Sequence, residues 1–176
     1  MDELTTYRAA IIRAEFCSGK KIINGGKTMR SLLRKRHSPC YKWELTFYCY
    51  AVPERVWSHL CKHHIGAYIF TQTQRPDLVV GNKETREGYR DFIIDINPIA
   101  LFQVFEKRAC SHAWKDTQVF MEMLRQAISS YIDLNDMGKE HPLQYVFDHC
   151  LPFCGQFNNN CREGGCEYNP NVKVIS

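Results

Sequence analysis

The run PERVWSHLCKHHIGAYIFTQTQRPD, residues 53–77, gathers Arg55, His59, Lys62, His63, His64 and Arg75 at a density of polar groups that no ordinary core helix needs. Pro53 suits a first helical position, because its missing N–H is one that a helix start leaves unpaired anyway and its φ is already helical. The spacing predicts a helix from there to about Ile65. Val56, Leu60 and Ile65 fall near one face, and His59 and His63 stand one turn apart on another. Gly66 then ends the helix, and a polar loop with Gln72, Gln74 and Arg75 is expected before Pro76.

Immediately upstream, KWELTFYCYAV (42–52) is the strongest strand pattern, rich in aromatic and β-branched types, with Trp43, Leu45, Phe47 and Cys49 on one face. TMRSLLRKR (28–36) reads as a short helix with Met29, Leu32 and Leu33 inward, stopped by the turn His37-Ser38-Pro39. CSGKKIINGGK (17–27) reads as a loop, and the residues up to Phe16 are readable as strand or helix. Downstream, residues 78–92 are charged and turn-rich and predict a surface excursion. Asn97-Pro98 is a helix start, with asparagine as cap and proline in the first turn. Ile99, Leu101, Phe102 and Phe105 give that helix an apolar side through Cys110. A second long helix is expected over Trp114–Leu134, with Phe120, Leu124, Ile128 and Tyr131 at helical spacing. From His149 on, periodicity gives way to cysteine and glycine. These elements predict an α/β (α+β) fold with a central antiparallel or mixed sheet flanked by long helices. One domain is expected over residues 1–148, with a Cys-rich tail over 149–176.

At 176 residues the chain is long enough to bury a core without staples. Its 44% hydrophobic and 24% charged content is that of a globular protein. A net charge of +4 suits a small anionic ligand as readily as nucleic acid, and the lack of a long basic tail argues against the latter. No apolar run approaches the roughly 18 residues of a membrane span, and MDELTTYRAA has no signal-peptide pattern, so a cytosolic protein without a membrane partner is expected. In that compartment the nine cysteines read as thiols or metal ligands rather than disulfides.

On pattern alone several residues support two readings. Lys62-His63-His64 is either a binding edge or the exposed side of an amphipathic helix. His59 and His63, four apart, aim both rings the same way as zinc ligands do, although no HExxH glutamate and no third ligand stand nearby. Arg34-Lys35-Arg36 is a phosphate patch or a solvated helix end. Arg108 and His112 are also four apart and point the same way. Cys150, Cys154, Cys161 and Cys166 are spaced C-x3-C-x6-C-x4-C, either a thiolate zinc cluster or free thiols. Cys17, Cys40, Cys49 and Cys61 read as buried small apolar residues. Cys61, beside Lys62 and His63, would be an activated nucleophile only if exposed.

Three segments in order, LLRKRHSPCYKWELTF (32–47), the helix carrying Lys62-His63-His64, and NPIALFQVFEKRACSHA (97–113), resemble the flavin-dependent thymidylate synthases. They span most of residues 28–125. The family's pattern is a helix, a His-(Thr)-Ser-Pro turn and a strand ending in Thr-Phe. An Arg-His-Arg helix follows, then a segment of Asn, a spaced Asn or Gln, an Arg and a His-Ala. The resemblance implies a reaction without a protein nucleophile. NADPH reduces FAD, methylenetetrahydrofolate supplies a one-carbon unit, and the reduced flavin mediates its delivery to C5 of dUMP. It also implies a homotetramer with flavin between subunits. By position, His37, Ser38, Lys62, His63, His64, Asn97, Gln103 and His112 would face the flavin nucleotide. His59 takes the place of a substrate-contacting glutamine, and Arg108 that of a nucleotide-holding, catalytic arginine.

After its Arg-His-Arg the family continues with Ser, Asn-Glu, Ser and Arg-Tyr, where this chain reads Ala67, Ile69-Phe70, Gln72 and Gln74-Arg75. A slip of one residue places Thr73 and Arg75 as the family's substrate-binding serine and arginine, which makes Arg75 a second catalytic candidate beside Arg108. Some members pair an Arg-x-Cys helix end with a Cys-rich tail, which implies Cys110, Cys154, Cys161 and Cys166 as a structural zinc set. The departures also leave a second expectation, a homologue that binds nucleotide or a partner protein without catalysis.

Overall fold

The computed structural model describes residues 3–63, 65–71 and 88–152. Its elements in chain order are α1 (Glu3–Ser18), α2 (Gly25–Arg34), a 3-10 turn (Ser38–Lys42), β1 (Leu45–Pro53), α3 (Glu54–Leu60), β2 (Ala67–Thr71), β3 (Tyr89–Ile96), α4 (Pro98–Arg108), α5 (Lys115–Leu134) and α6 (Pro142–His149). The fold is mixed α+β, with a sheet that is three-stranded and antiparallel among the described residues, in the order β1-β3-β2.

The register fixes two faces. Leu45, Ile96 and Ala67 lie opposite one another, as do Phe47, Ile94 and Ile69, and this side turns to the core. Thr46, Asp95 and Tyr68, with Tyr48, Ile93 and Phe70, form the other side, because successive strand residues alternate. The inner face joins a core that includes Trp43, Leu60, Leu101, Phe105, Met121 and Val146, each no more than 1% exposed. A buried phenylalanine such as Phe105 contributes roughly 1.5–3 kcal/mol through burial of its side chain.

Local chemistry explains where elements begin and end. Asn24 caps α2 by accepting from Lys27 N at 2.9 Å, and Met29 and Leu33 turn inward as the sequence pattern predicts. Asn97 caps α4 through Oδ1, which accepts from Ala100 N at 2.9 Å, with Pro98 in the first turn. β1 ends in a bulge between Cys49 and Val52, where Ala51 takes φ 51° and its N–H donates to Asp91 Oδ1 at 2.7 Å. That kink turns the chain into α3, whose first N–H, on Glu54, donates to Gly88 O at 2.7 Å. Arg90 pairs with Glu54 and lies 4.9 Å over the Trp57 ring, fastening α3 to the start of β3.

Several expectations are corrected. The N-terminal segment, readable as strand or helix, is a helix; α2, however, already starts at Gly25, inside the span read as a loop. α3 stops at Leu60 rather than Ile65, and Ile65 is 77% exposed instead of sharing the face of Val56 and Leu60. Ala67–Thr71, expected as part of a polar loop, is β2, and β3 begins at Tyr89 inside the expected surface excursion. Cys40 and Cys49 are buried, but Cys17 and Cys61 are exposed because the helices that carry or precede them end nearby. α5 matches the expected long helix to within one residue. No described helix is long and apolar enough to cross a membrane.

Candidate functional site

The site forms where the C-terminal ends of α3 and α4 meet. Cys61 caps α3, its N–H donating to Trp57 O, and His63 N then donates to Leu60 O at 2.8 Å, so the chain leaves the helix in a tight turn. That turn brings His63 to the last residue of α4, and Arg108 Nε donates to His63 Nε2 at 3.1 Å. Gly66 secures the exit. Its carbonyl accepts from both Asn97 N and Asn97 Nδ2 at 3.0 Å, and its φ of +78° is one that side-chain-bearing residues rarely adopt. A Cβ there would fall inside the Asn97 amide.

His59, one turn before Lys62 and His63, completes the cluster. Burial lowers its pKa first, and the positive charges of Arg108 and Lys62 lower it further. The neutral imidazole is therefore favoured, and its Nδ1 is buried without a hydrogen-bond partner. Its ring sits 4.9 Å from Trp114, whose indole also lies under the Arg55 guanidinium at 5.9 Å. Arg55 in turn pairs with Asp116 at the start of α5. Trp114 and Asp116 were not anticipated here, and Arg55 was read only as a member of the polar run. The signal was the placement of Arg55 one turn before His59, which aims both toward the same neighbour.

The cluster can therefore present two fixed positive charges, Lys62 and Arg108, beside two imidazoles and an indole face. Such a set suits an anion attached to a planar ring, since guanidinium and ammonium donors bind phosphate or carboxylate and the indole offers a stacking surface.

The remaining expected site residues are placed as follows. His37 and Ser38 are exposed where α2 passes into the 3-10 turn. Asn97 is 3% exposed, and both polar atoms of its side chain are engaged by Ala100 N and Gly66 O. Gln103 is exposed on α4, and His112 is exposed beyond its end. Helical i, i+4 spacing therefore governs neither the His59–His63 nor the Arg108–His112 pair, because α3 ends at Leu60 and α4 at Arg108. This removes the geometric premise of a His59–His63 zinc site. Cys110 is half-buried just past α4. His64, Thr73, Arg75, Cys154, Cys161 and Cys166 lie outside the described residues. Among the described residues no group of three His, Cys, Asp or Glu is placed to hold a metal ion.

A groove of about 1030 Å³ lies elsewhere, between β1 and α5, and none of the expected site residues lines it. Compared with protein-family models and with curated proteins, the sequence matches none.

Proposed function

We infer that the chain is a flavin-dependent enzyme of the thymidylate synthase type. It would transfer a one-carbon unit from methylenetetrahydrofolate to C5 of a pyrimidine deoxynucleotide such as dUMP, with NADPH as reductant, in the cytosol. The observation that carries this reading is the Arg108–His63 hydrogen bond. It joins two of the three sequence segments behind the resemblance, 45 residues apart in the chain, at a single cationic surface. The residues present fit the anionic part of FAD: Lys62 and Arg108 are donors, and His59 Nδ1 lacks a partner. When bound, the flavin supplies the electron transfer that protein side chains lack.

In this reading Lys62, His63 and His64 hold the cofactor's phosphates, with His37, Ser38, Gln103 and His112 as further polar contacts. Arg108 holds the nucleotide and stabilises negative charge developing on the pyrimidine, with Arg75 and Thr73 on the substrate side and His59 against the base. Asn97 takes a positioning role instead of a cofactor contact, because its amide is spent on Gly66 and the α4 cap. The same reading includes a homotetramer with flavin between subunits, a thymidylate synthase-like fold, and Cys110 with Cys154, Cys161 and Cys166 as a structural zinc set.

The test is the visible spectrum of the purified chain titrated with FAD. Binding at micromolar concentration is expected, and none would end the flavin reading. Arg108→Ala should weaken nucleotide binding by roughly 1.5–3 kcal/mol, the range of a charge-assisted hydrogen bond. Unchanged affinity would remove Arg108 from the site.

A second reading, nucleotide or partner binding without catalysis, is favoured by one observation. Where the family carries a serine and a carboxylate, this chain forms β2, in which Tyr68 is the sole titratable side chain. Release of tritium from C5-labelled dUMP, with folate and NADPH present, separates the two: turnover excludes the non-catalytic reading.

A further inference from the structure

β1 is paired on one side only, by β3, among the described residues, so along its other edge alternate residues direct an N–H and a C=O away from the sheet. The groove of about 1030 Å³ runs between β1 and α5. Its floor is apolar, built from Leu45 and Phe47 of β1 with Phe120, Leu124 and Ile128 of α5, and Met123, 60% exposed, stands at the α5 lip. A strand edge beside an apolar helix face is the setting in which an extended peptide adds to a sheet. Main-chain hydrogen bonds hold it, and alternate side chains enter the groove. Edges that are kept free are commonly short or carry lysines, whereas β1 runs nine residues as LTFYCYAVP with no charged side chain.

The charges around the groove select the peptide. Glu44, Asp95 and Asp116 line it, and among the described residues no lysine, arginine or histidine does, although the chain carries a net charge of +4. Asp116 is met by Arg55. Glu44 and Asp95 pair with no cation among the described residues, and Asp95 Oδ1 accepts from the neutral Thr46 hydroxyl at 2.6 Å. Tyr48, 65% exposed, shares the outer side of the sheet with Thr46 and Asp95. A strand added beside β1 lies roughly 10 Å from β3, two strand spacings, which a lysine or arginine on the outer side spans toward Asp95 while passing the Tyr48 ring. We propose that the groove takes an extended segment of another protein in which apolar residues alternate with lysine or arginine. The segment adds to β1 as a further strand, its apolar side chains between β1 and α5 and its cations on the outer side, toward Tyr48, Asp95 and Glu44. A second copy of β1 does not meet this chemistry, because that strand has no cation to offer.

The proposal does not rest on the flavin reading, and its test contains neither flavin nor nucleotide. The probe is a fluorescently labelled peptide of alternating valine and lysine, titrated with the full chain and read by anisotropy. Saturable micromolar binding is expected, and a valine–glutamate peptide of the same length should not bind. Met123→Lys should weaken binding by about tenfold or more, the equivalent of one buried methionine side chain. Leu134→Lys makes the same charge change at the 85% exposed end of α5, off the groove, and should leave binding unchanged. Glu44→Gln with Asp95→Asn, which keeps an acceptor for Thr46, should weaken it by about two- to fivefold and flatten its salt dependence, as exposed ion pairs do. Of two probe peptides N-methylated at alternate residues in opposite phase, one should lose binding and the other keep it, since only one phase blocks the edge that pairs with β1. No binding of the valine–lysine peptide, equal binding of the glutamate peptide, equal behaviour of the two methylated peptides, or wild-type affinity in a folded Met123→Lys variant would overturn the proposal. So would binding that falls as the chain's concentration rises, which gives the groove to a second copy, or binding seen only after residues 153–176 are removed, which gives it to the chain's own tail.

Discussion

Replacing Gly66 by alanine tests the clasp that holds the site together. Two costs are expected. Alanine at φ +78° costs about 1–2 kcal/mol against the left-handed region. The added Cβ also displaces the Asn97 amide from Gly66 O, and leaving the buried Nδ2 unsatisfied costs about 1–3 kcal/mol, while Gly66 O keeps its bond from Asn97 N. Gly66→Ala should therefore destabilise by about 2–5 kcal/mol, a large share of the roughly 5–15 kcal/mol that holds a domain folded. Asn97→Ala alone should cost about 1–2 kcal/mol through loss of the α4 cap, plus the bond to Gly66. The diagnostic term is the coupling. In the Asn97→Ala background the amide is gone, so Gly66→Ala should cost only the backbone penalty of about 1–2 kcal/mol. Urea denaturation of the four proteins, with a common slope, measures this cycle. Costs that simply add, or a Gly66→Ala change below about 1 kcal/mol, would refute the clasp.

His141 caps α6 by accepting from Leu143 N at 3.2 Å through Nδ1, and burial lowers its pKa. A lowered folded pKa means that the unfolded chain takes up the proton first. The cap's contribution is thus present above about pH 6.5 and is lost as pH falls below it. His141→Asn, a cap that does not titrate, should lose less stability than the parent between about pH 7 and about pH 5 by denaturant titration. Equal slopes would contradict the assignment. Thiol labelling of the native chain should mark Cys17 and Cys61 before Cys40 and Cys49, because both of the latter are buried and desolvation pushes their thiols up to about 12 and about 11. Peptide mapping reads the order, and early labelling of Cys40 would mean that the packing around Trp43 opens.

Local chemistry was the legible part of the fold. The alternation of β1, the Asn97-Pro98 start of α4 and the periodicity of α5 each follow from side chains within one element, and each stands where the pattern places it. β2 and β3 were not read, for a physical reason. Tyr68 and Phe70 are 58% exposed aromatics in a five-residue strand, so β2 shows no polar side. β3 does alternate at Phe92, Ile94 and Ile96, but Ile93 on the opposite face and the charges at Arg90, Asp91 and Asp95 mask it. Of the site, the polar run at 59–63 was visible, whereas its partner across space was not derivable from spacing. Arg108 meets His63 only because α3 ends early and Gly66 turns the chain back toward Asn97. Trp114 joins through a ring contact with His59 that no periodicity encodes.

The contact between Arg108 and His63 also fixes a tautomer. A guanidinium has only donors, so Nε2 of His63 must offer its lone pair, and the ring's proton resides on Nδ1. An anion that drew the guanidinium to itself would leave that lone pair without its donor, so the ring's nitrogen signals would report occupancy of this corner.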